Sequence, residues 1–278
     1  MIIQKYWTCK CHEVELPGGA ILYLRTWGWG ENDDAAKQHA AARAEKVRKR
    51  ILQQDIPDPY EYGDRPLREE IVEAIGGAAD EGHAMVTRNK YGVLVLNSAS
   101  LLFLDIDQAP QKRSFISRLL GRKADAARNE QLLAIREQLA NFPKISFRLY
   151  QTAAGFRVIA TNRAFNPVAE ETRELMLATN TDPLYQRLCL AQHCFRARLT
   201  PKPWRCALSL PPNSFPRADT QAEAKFIAWR RNYEHTIQQF ATCRFIESIG
   251  TGAIDARLST LIALHDRTTR CTENLPLA

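Results

Sequence analysis

Apolar and polar positions change period several times along the chain, and each change marks an expected element. Ile2 to Lys10 and Ala20 to Trp27 read as strands. From a cap at Asn32 or Asp33 through about Gln54 the chain is Ala-rich and densely charged, which predicts one long helix. The segment DIPDPYEYGDRPLREE is rich in Pro, Gly and Asp, so it reads as a connection into a short helix over about Leu67 to Ile75. Three short apolar runs follow, Ala84 to Thr87, Gly92 to Leu96 and Leu101 to Ile106, each of strand length. Beyond them come a helix (Ala126 to Ala140), a strand (Ser146 to Gln151), the tight connection TAAG and a strand (Phe156 to Thr161). A helix from near Pro167, a second from Asp182 and a strand over Phe195 to Thr200 complete the series.

From Leu101 onward the order is β-α-β-β-α-β, that of a ferredoxin-like or RRM-like unit. Such a unit is an antiparallel sheet with helices on one face and the other face open to a ligand. The expected class is therefore α+β. Residues 1–98 form an N-terminal α/β region packed on the core, 99–210 the RRM-like core, and 211–278 a C-terminal helical region.

Within that core, the run SLLFLDIDQ carries the chemistry. Leu101 to Leu104 make an apolar strand buried on both faces, and it ends in Asp105 and Asp107. Residues i and i+2 of a strand share a face, so the two carboxylates lie side by side. Like charges at that spacing repel unless a cation stands between them, and hard divalent ions such as Mg²⁺ or Mn²⁺ suit such oxygen pairs. The alternative is structural: Asp is common in turns and at helix N-caps.

Composition adjusts this picture in two ways. With 45% hydrophobic and 25% charged residues in 278, the chain can bury a large core and is not of disordered type. No apolar stretch approaches the ~20 residues of a membrane helix, and MIIQKYWTCKCHE lacks the features of a signal peptide. A cytoplasmic protein without membrane insertion, its seven cysteines reduced, is expected. The net charge of +7 is concentrated in clusters: Lys112, Arg113, Arg118, Arg122 and Lys123; Arg187, Arg196, Arg198, Lys202 and Arg205; and Arg230 with Arg231 on a late helix. Basic clusters near paired carboxylates point to a polyanion, either nucleic acid or a triphosphate, whereas scattered charge would only solvate the surface.

Taken with the hairpin FRLYQTAAGFRVIATN and the later segment NTDPLYQRLCLAQHCFRARLTPKPWRC, the DID strand resembles the three motifs of the archaeo-eukaryotic primase superfamily. That superfamily includes primase small subunits, primase-polymerases and the polymerase domain of bacterial end-joining ligases, built on an RRM-like core. The resemblance covers Leu101 to about Cys206. It implies a metal-dependent nucleotidyltransferase acting on nucleoside triphosphates and nucleic acid, with Mg²⁺ or Mn²⁺ held by Asp105, Asp107 and Asp182. It also implies phosphate contacts from Arg157, Arg196, Arg198 and Lys202. Where the family carries a phosphate-contacting His, this chain has Arg157, which binds phosphate but does not switch protonation. The same motifs therefore admit a catalytically degenerate RRM-like module that binds nucleic acid or nucleotide without turnover. Asp182 has a structural alternative too, as the N-cap of PLYQRLCLAQ with Pro183 at the first helical position.

Four further groups carry less. Cys9, Cys11 and His12, with His193 and Cys194 or Cys189, supply zinc-type ligands without the paired C-x₂-C spacing of common zinc sites. Trp27 and Trp29 read as core anchors or as a stacking platform. The insert KRSFISRLLGRK alternates apolar and basic residues as an amphipathic segment or a surface loop does. His265 and Asp266 in ALHD resemble an acid-base pair in letters only, because adjacent helical residues point about 100° apart. No Walker A, GxGxxG or Gly-x-Ser-x-Gly pattern occurs, which removes the commonest kinase, dehydrogenase and hydrolase readings.

Overall fold

The computed structural model describes residues 1–53, 66–76, 83–108 and 121–278. The basic insert around Phe115 and the Pro-rich connection before Pro66 lie outside the described residues. The first layer is a hairpin of β1 (Tyr6–Glu15) and β2 (Ile21–Gly30), packed against α1 (Asp33–Leu52). Asn32 starts α1: its side chain accepts the Ala35 N–H. The helix buries Ala36, Ala40 and Ala44, and a Cβ on Gly28 would stand 2.1 Å from the Ala40 nitrogen. Small residues on both elements are thus what lets helix and hairpin approach so closely.

Two four-stranded sheets make the body. One runs in the order β3 (Glu70–Ile75), β4 (Ala84–Arg88), β5 (Leu94–Ser98), β9 (Phe195–Arg198). The other runs β10 (Cys243–Ile249), β7 (Phe147–Thr152), β8 (Gly155–Ala160), β6 (Phe103–Asp107). All neighbours are antiparallel. Since β8 is antiparallel to both β6 and β7, those two strands run parallel, joined by α2 (Gly121–Ala140), with β8 between them. That is a split β-α-β arrangement. Between β8 and β9 lie α3 (Glu170–Ala178) and α4 (Pro183–Gln192); α5 (Thr220–Thr236) and α6 (Ala256–Thr269) belong to the C-terminal segment. The architecture is mixed α+β with antiparallel sheets. Among the described residues no helix is long and apolar enough to cross a membrane.

Three elements differ from the sequence expectation. Leu67 to Ile75 is not helical: Glu70–Ile75 is the edge strand β3, paired to β4 with a register shift between Ile71 and Glu73. Phe195–Arg198 is a strand, as expected, but it hydrogen-bonds to β5 rather than lying in the sheet of β6. The outer edge of β6 is met instead by the chain before α4, where the Asp182 N–H donates to the Asp105 carbonyl at 2.9 Å. The segment 211–278, expected to be helical, also supplies β10, which extends the sheet beyond β7.

One hydrophobic cluster runs through both sheets. Leu101, Leu102, Phe103 and Leu104 are all fully buried, each worth roughly 1.5–3 kcal/mol of burial. The two acids at the end of that strand are therefore mounted on one of the most firmly anchored parts of the molecule.

Candidate functional site

Directly opposed residues of an antiparallel sheet share a face. Asp105 on β6 is opposed by Arg157 on β8, Arg157 by Tyr150 on β7, and Tyr150 by Phe245 on β10. This row places a carboxylate, a guanidinium and a phenol side by side. Asp107, two residues on, is opposed by Gly155 of the TAAG turn. A Cβ on Gly155 would lie 2.1 Å from the Ile106 carbonyl oxygen and 3.0 Å from the Asp107 Cα. Glycine is what allows the hairpin to close onto the acidic strand.

Asp105 is half-buried and Asp107 exposed. The Asp107 carboxyl is pushed above its usual range by burial first, then by Asp105 and by Asp182; Lys202 and Arg198 act in the opposite direction. The three acids are thus close enough to feel one another. Asp182 also has the capping role: its oxygens accept the Leu184 and Tyr185 N–H groups at 3.1 Å, with Pro183 opening α4. Among the described residues no three His, Cys, Asp or Glu side chains converge closely enough to hold one ion by themselves. In chemistry the donor set is hard oxygen, which suits Mg²⁺ or Mn²⁺.

Facing the acids is a cluster of cations. Arg157 is buried, and its Nη1 donates to the Arg198 carbonyl at 2.8 Å and to His265 Nε2 at 3.2 Å. It thereby ties the two sheets together through β9. The Arg198 guanidinium has no hydrogen-bond or ion-pair partner among the described residues, and its Nε is fully enclosed. Burial, and after it the neighbouring Arg157, lower its pKa to about 10. Arg205 Nη1 is likewise enclosed without a partner. The Lys202 ammonium is pushed down by burial, then by Arg198 and Arg205.

Arg196 behaves differently, although it is two residues from Arg198. Its Nη2 donates to both Glu69 oxygens at 2.8 and 2.9 Å, and its Nη1 to Asn97 Oδ1 at 2.5 Å. Glu69 also accepts from the Thr87 hydroxyl at 2.6 Å. The donors of Arg196 are thus committed to a buried bidentate pair in the cleft wall. Between the sheets a cleft of about 460 Å³ is lined by Asp105, Arg157, Arg198, Lys202, Tyr91 and Tyr185, with Arg196 in its wall.

The pair His265 and Asp266 stands directly behind this cleft, a role that sequence reasoning missed. Because Arg157 donates to Nε2, the His265 proton is on Nδ1, which donates to Asp266 Oδ1 at 2.9 Å. Asp266 also accepts from the Tyr150 hydroxyl and from Arg148 Nη2, both at 2.7 Å. Burial, aided by Arg157, lowers the His265 pKa to about 4, so the ring is neutral at pH 7. Burial alone would raise the Asp266 carboxyl, but the hydrogen bonds from His265 and Tyr150 outweigh it and hold it low. Arg148, Tyr150, Asp266, His265 and Arg157 thus form a continuous chain, half-buried at Arg148 and Asp266 and buried at the other three, that orients the guanidinium beside Asp105. The 100° between neighbouring helical residues does not prevent this, since a His ring reaches the next residue's carboxylate.

The remaining sequence candidates lie apart from the cleft or carry no cluster. Cys9 and Cys11 share one face of β1 and His12 is on the other, as strand alternation requires. Cys189 and Cys194 are buried thiols. Trp27 and Trp29 are half-buried on the hairpin, covered by Arg68 at 3.8 Å and Arg43 at 4.6 Å. Comparison with known proteins returns nothing: no family model, no curated protein and no solved structure matches the chain.

Proposed function

We propose that the cleft binds the phosphates of a nucleoside triphosphate and that the protein is a metal-dependent nucleotidyltransferase acting on nucleic acid, as its motif resemblance to primase-polymerases implies. The observation that carries this reading is the Arg198 guanidinium, which makes no ion pair among the described residues, has an enclosed and unpartnered Nε, and is crowded by Arg157, Lys202 and Arg205 more strongly than Asp105 attracts it. Buried charge of one sign with unmet donors is costly unless a ligand of the opposite sign completes it. A polyphosphate does so. In this reading β6, α2, β7 and β8 are the first part of an RRM-like unit, whose last strand has been taken up by the neighbouring sheet.

The chain's own residues would divide the work. Arg198, Lys202 and Arg205 neutralise phosphate oxygens as negative charge develops on them. Arg157, held by His265 and by the Arg198 carbonyl, stands beside Asp105 and fixes the cleft's geometry. Asp105 and Asp107 would hold a divalent cation, the rest of its shell filled by water or phosphate oxygens, with Asp182 adding negative potential. When bound, such an ion supplies a lowered pKa for an attacking hydroxyl and neutralisation of leaving pyrophosphate.

One observation favours the runner-up, a module that binds without turnover: both oxygens of Asp182 are already engaged in capping α4. A thermal-shift titration with Mn²⁺ and ATP tests the proposal. Binding to the native state alone stabilises it by about 2.7 kcal/mol at a hundredfold ligand excess. The wild type should shift with metal and with ATP, and Asp105→Asn with Asp107→Asn should abolish the metal-dependent part. Equal metal shifts in both proteins would leave the acids as structural only. Incorporation of labelled nucleotide into a primed template then separates turnover from binding.

A further inference from the structure

We infer that Trp204 and Tyr91 form the base-binding platform of the cleft, so that a nucleobase stacks on the Trp204 indole while its phosphates reach Arg198 and Lys202. This rests on the phosphate site proposed above and adds how the rest of the nucleotide is held. Trp204 is 48% exposed, an unusual state for an indole in a well-packed body. Its N–H has no partner among the described residues. Tyr91 lines the cleft, and the two rings meet edge to face, with centroids 5.3 Å apart and planes at 81°. The Lys202 ammonium lies 5.3 Å from the indole centroid and within electrostatic reach of Asp105, Asp107 and Arg198. Lys90 stands 5.0 Å over Tyr91. Trp204 is therefore joined to the cationic cleft through Tyr91 and Lys202, which both line it.

Both rings are presented from anchored turns. Trp204 sits in the 3-10 turn Pro203–Cys206, whose end residues are buried, and the Leu208 N–H closes onto the Pro203 carbonyl. In the turn carrying Tyr91, Asn89 Oδ1 accepts the N–H groups of Tyr91 and Val93. Gly92 in that turn has φ +78°, and a Cβ there would strike the Trp229 ring at 2.2 Å. Rigid aromatics with open surface, interleaved with lysines, are the chemistry by which π-faces of bases are held without sequence preference. The hairpin tryptophans do not offer this, because Arg43 and Arg68 already cover their rings. Trp229 is stacked on Tyr233 at 5.0 Å.

Calorimetry with ATP, UTP and inorganic tripolyphosphate in Mg²⁺ buffer tests the inference on wild type, Trp204→Ala, Trp204→Phe and Tyr91→Leu. Trp204→Ala should weaken both nucleotides by roughly five- to hundredfold, the range of one stacking contact. Trp204→Phe should recover most of that loss, and Tyr91→Leu should show a smaller loss of the same kind. Tripolyphosphate affinity should stay within about twofold of wild type in all three, since it has no base to stack. Unchanged nucleotide affinity in Trp204→Ala, or a parallel fall for nucleotide and tripolyphosphate, overturns the platform while the phosphate site stands. A wild type that binds tripolyphosphate as tightly as ATP also overturns it. If the wild type binds none of the three, the phosphate site fails first and the platform with it.

Discussion

Replacing Arg198 by Met should make the ligand-free protein more stable and at the same time destroy its anion affinity. Folding lowers the pKa of this guanidinium from 12.5 to about 10, through burial and the charge of Arg157. For a base, a lowered folded-state pKa means that the charged form is disfavoured by folding. Below pH 10 the folded protein carries that penalty in full, and it fades only between 10 and 12.5, so substitution rather than titration is the usable perturbation. At about 1.4 kcal/mol per pKa unit, the penalty is about 3 kcal/mol. Methionine keeps the apolar stem, and the backbone carbonyl that accepts from Arg157 is unaffected by the change. A net gain of about 1–3 kcal/mol is expected, or about 2–8 °C in Tm for a chain of this size. The assay is thermal unfolding by circular dichroism in a chloride buffer free of phosphate and sulfate, repeated with tripolyphosphate. Wild type should rise steeply with tripolyphosphate and Arg198→Met should not. A variant that melts below wild type in the chloride buffer without tripolyphosphate would refute the reasoning, for it would mean that Arg198 has a stabilising partner. So would an equal tripolyphosphate shift in both proteins.

Arg196→Ala should behave in the opposite sense, costing about 3–5 kcal/mol because Glu69 is left buried and unpaired; urea unfolding that shows a loss under 1 kcal/mol would contradict the buried pair. Gly155→Ala should cost about 2 kcal/mol or more, since its Cβ overlaps the Ile106 carbonyl, and should weaken Mn²⁺-dependent stabilisation by displacing Asp107. His265 predicts a pH dependence. Its folded-state pKa of about 4 lies below the 6.5 of an unfolded His, so the unfolded chain takes up a proton first and stability falls as pH drops from 6.5 to 4. The loss is about 3 kcal/mol over that window. His265→Gln should flatten this part of the profile, and identical slopes in both proteins would show that another group governs it.

The chain itself determined those features that depend on neighbours a few residues apart. Asp105 and Asp107 share a face because strand side chains alternate, and Asn32 and Asp182 cap the helices that follow them. The TAAG turn closes a hairpin for the same local reason, with a glycine where its strand nears Ile106. Tertiary structure decided whatever depends on what stands opposite. Leu67, Ile71 and Ile75 are spaced by four as on a helix face, yet a free strand edge at β4 pairs with Glu70–Ile75 and makes it a strand. Phe195–Arg198 is a strand in either reading, but four residues contain nothing that selects between two sheets, and pairing with Leu94–Ser98 settles it. Arg196 and Arg198 have equal standing by alternation. Glu69 and Asn97 bond to one of them, while no acid among the described residues forms an ion pair with the other, which makes the first part of the wall and leaves the second open to an anion. His265 came to matter in the same way, since its Nε2 meets Arg157 only after α6 has packed beside β7 and β8. Period decides which face a residue occupies; the long-range packing of sheets and helices decides what that face meets, and charge acts through that meeting.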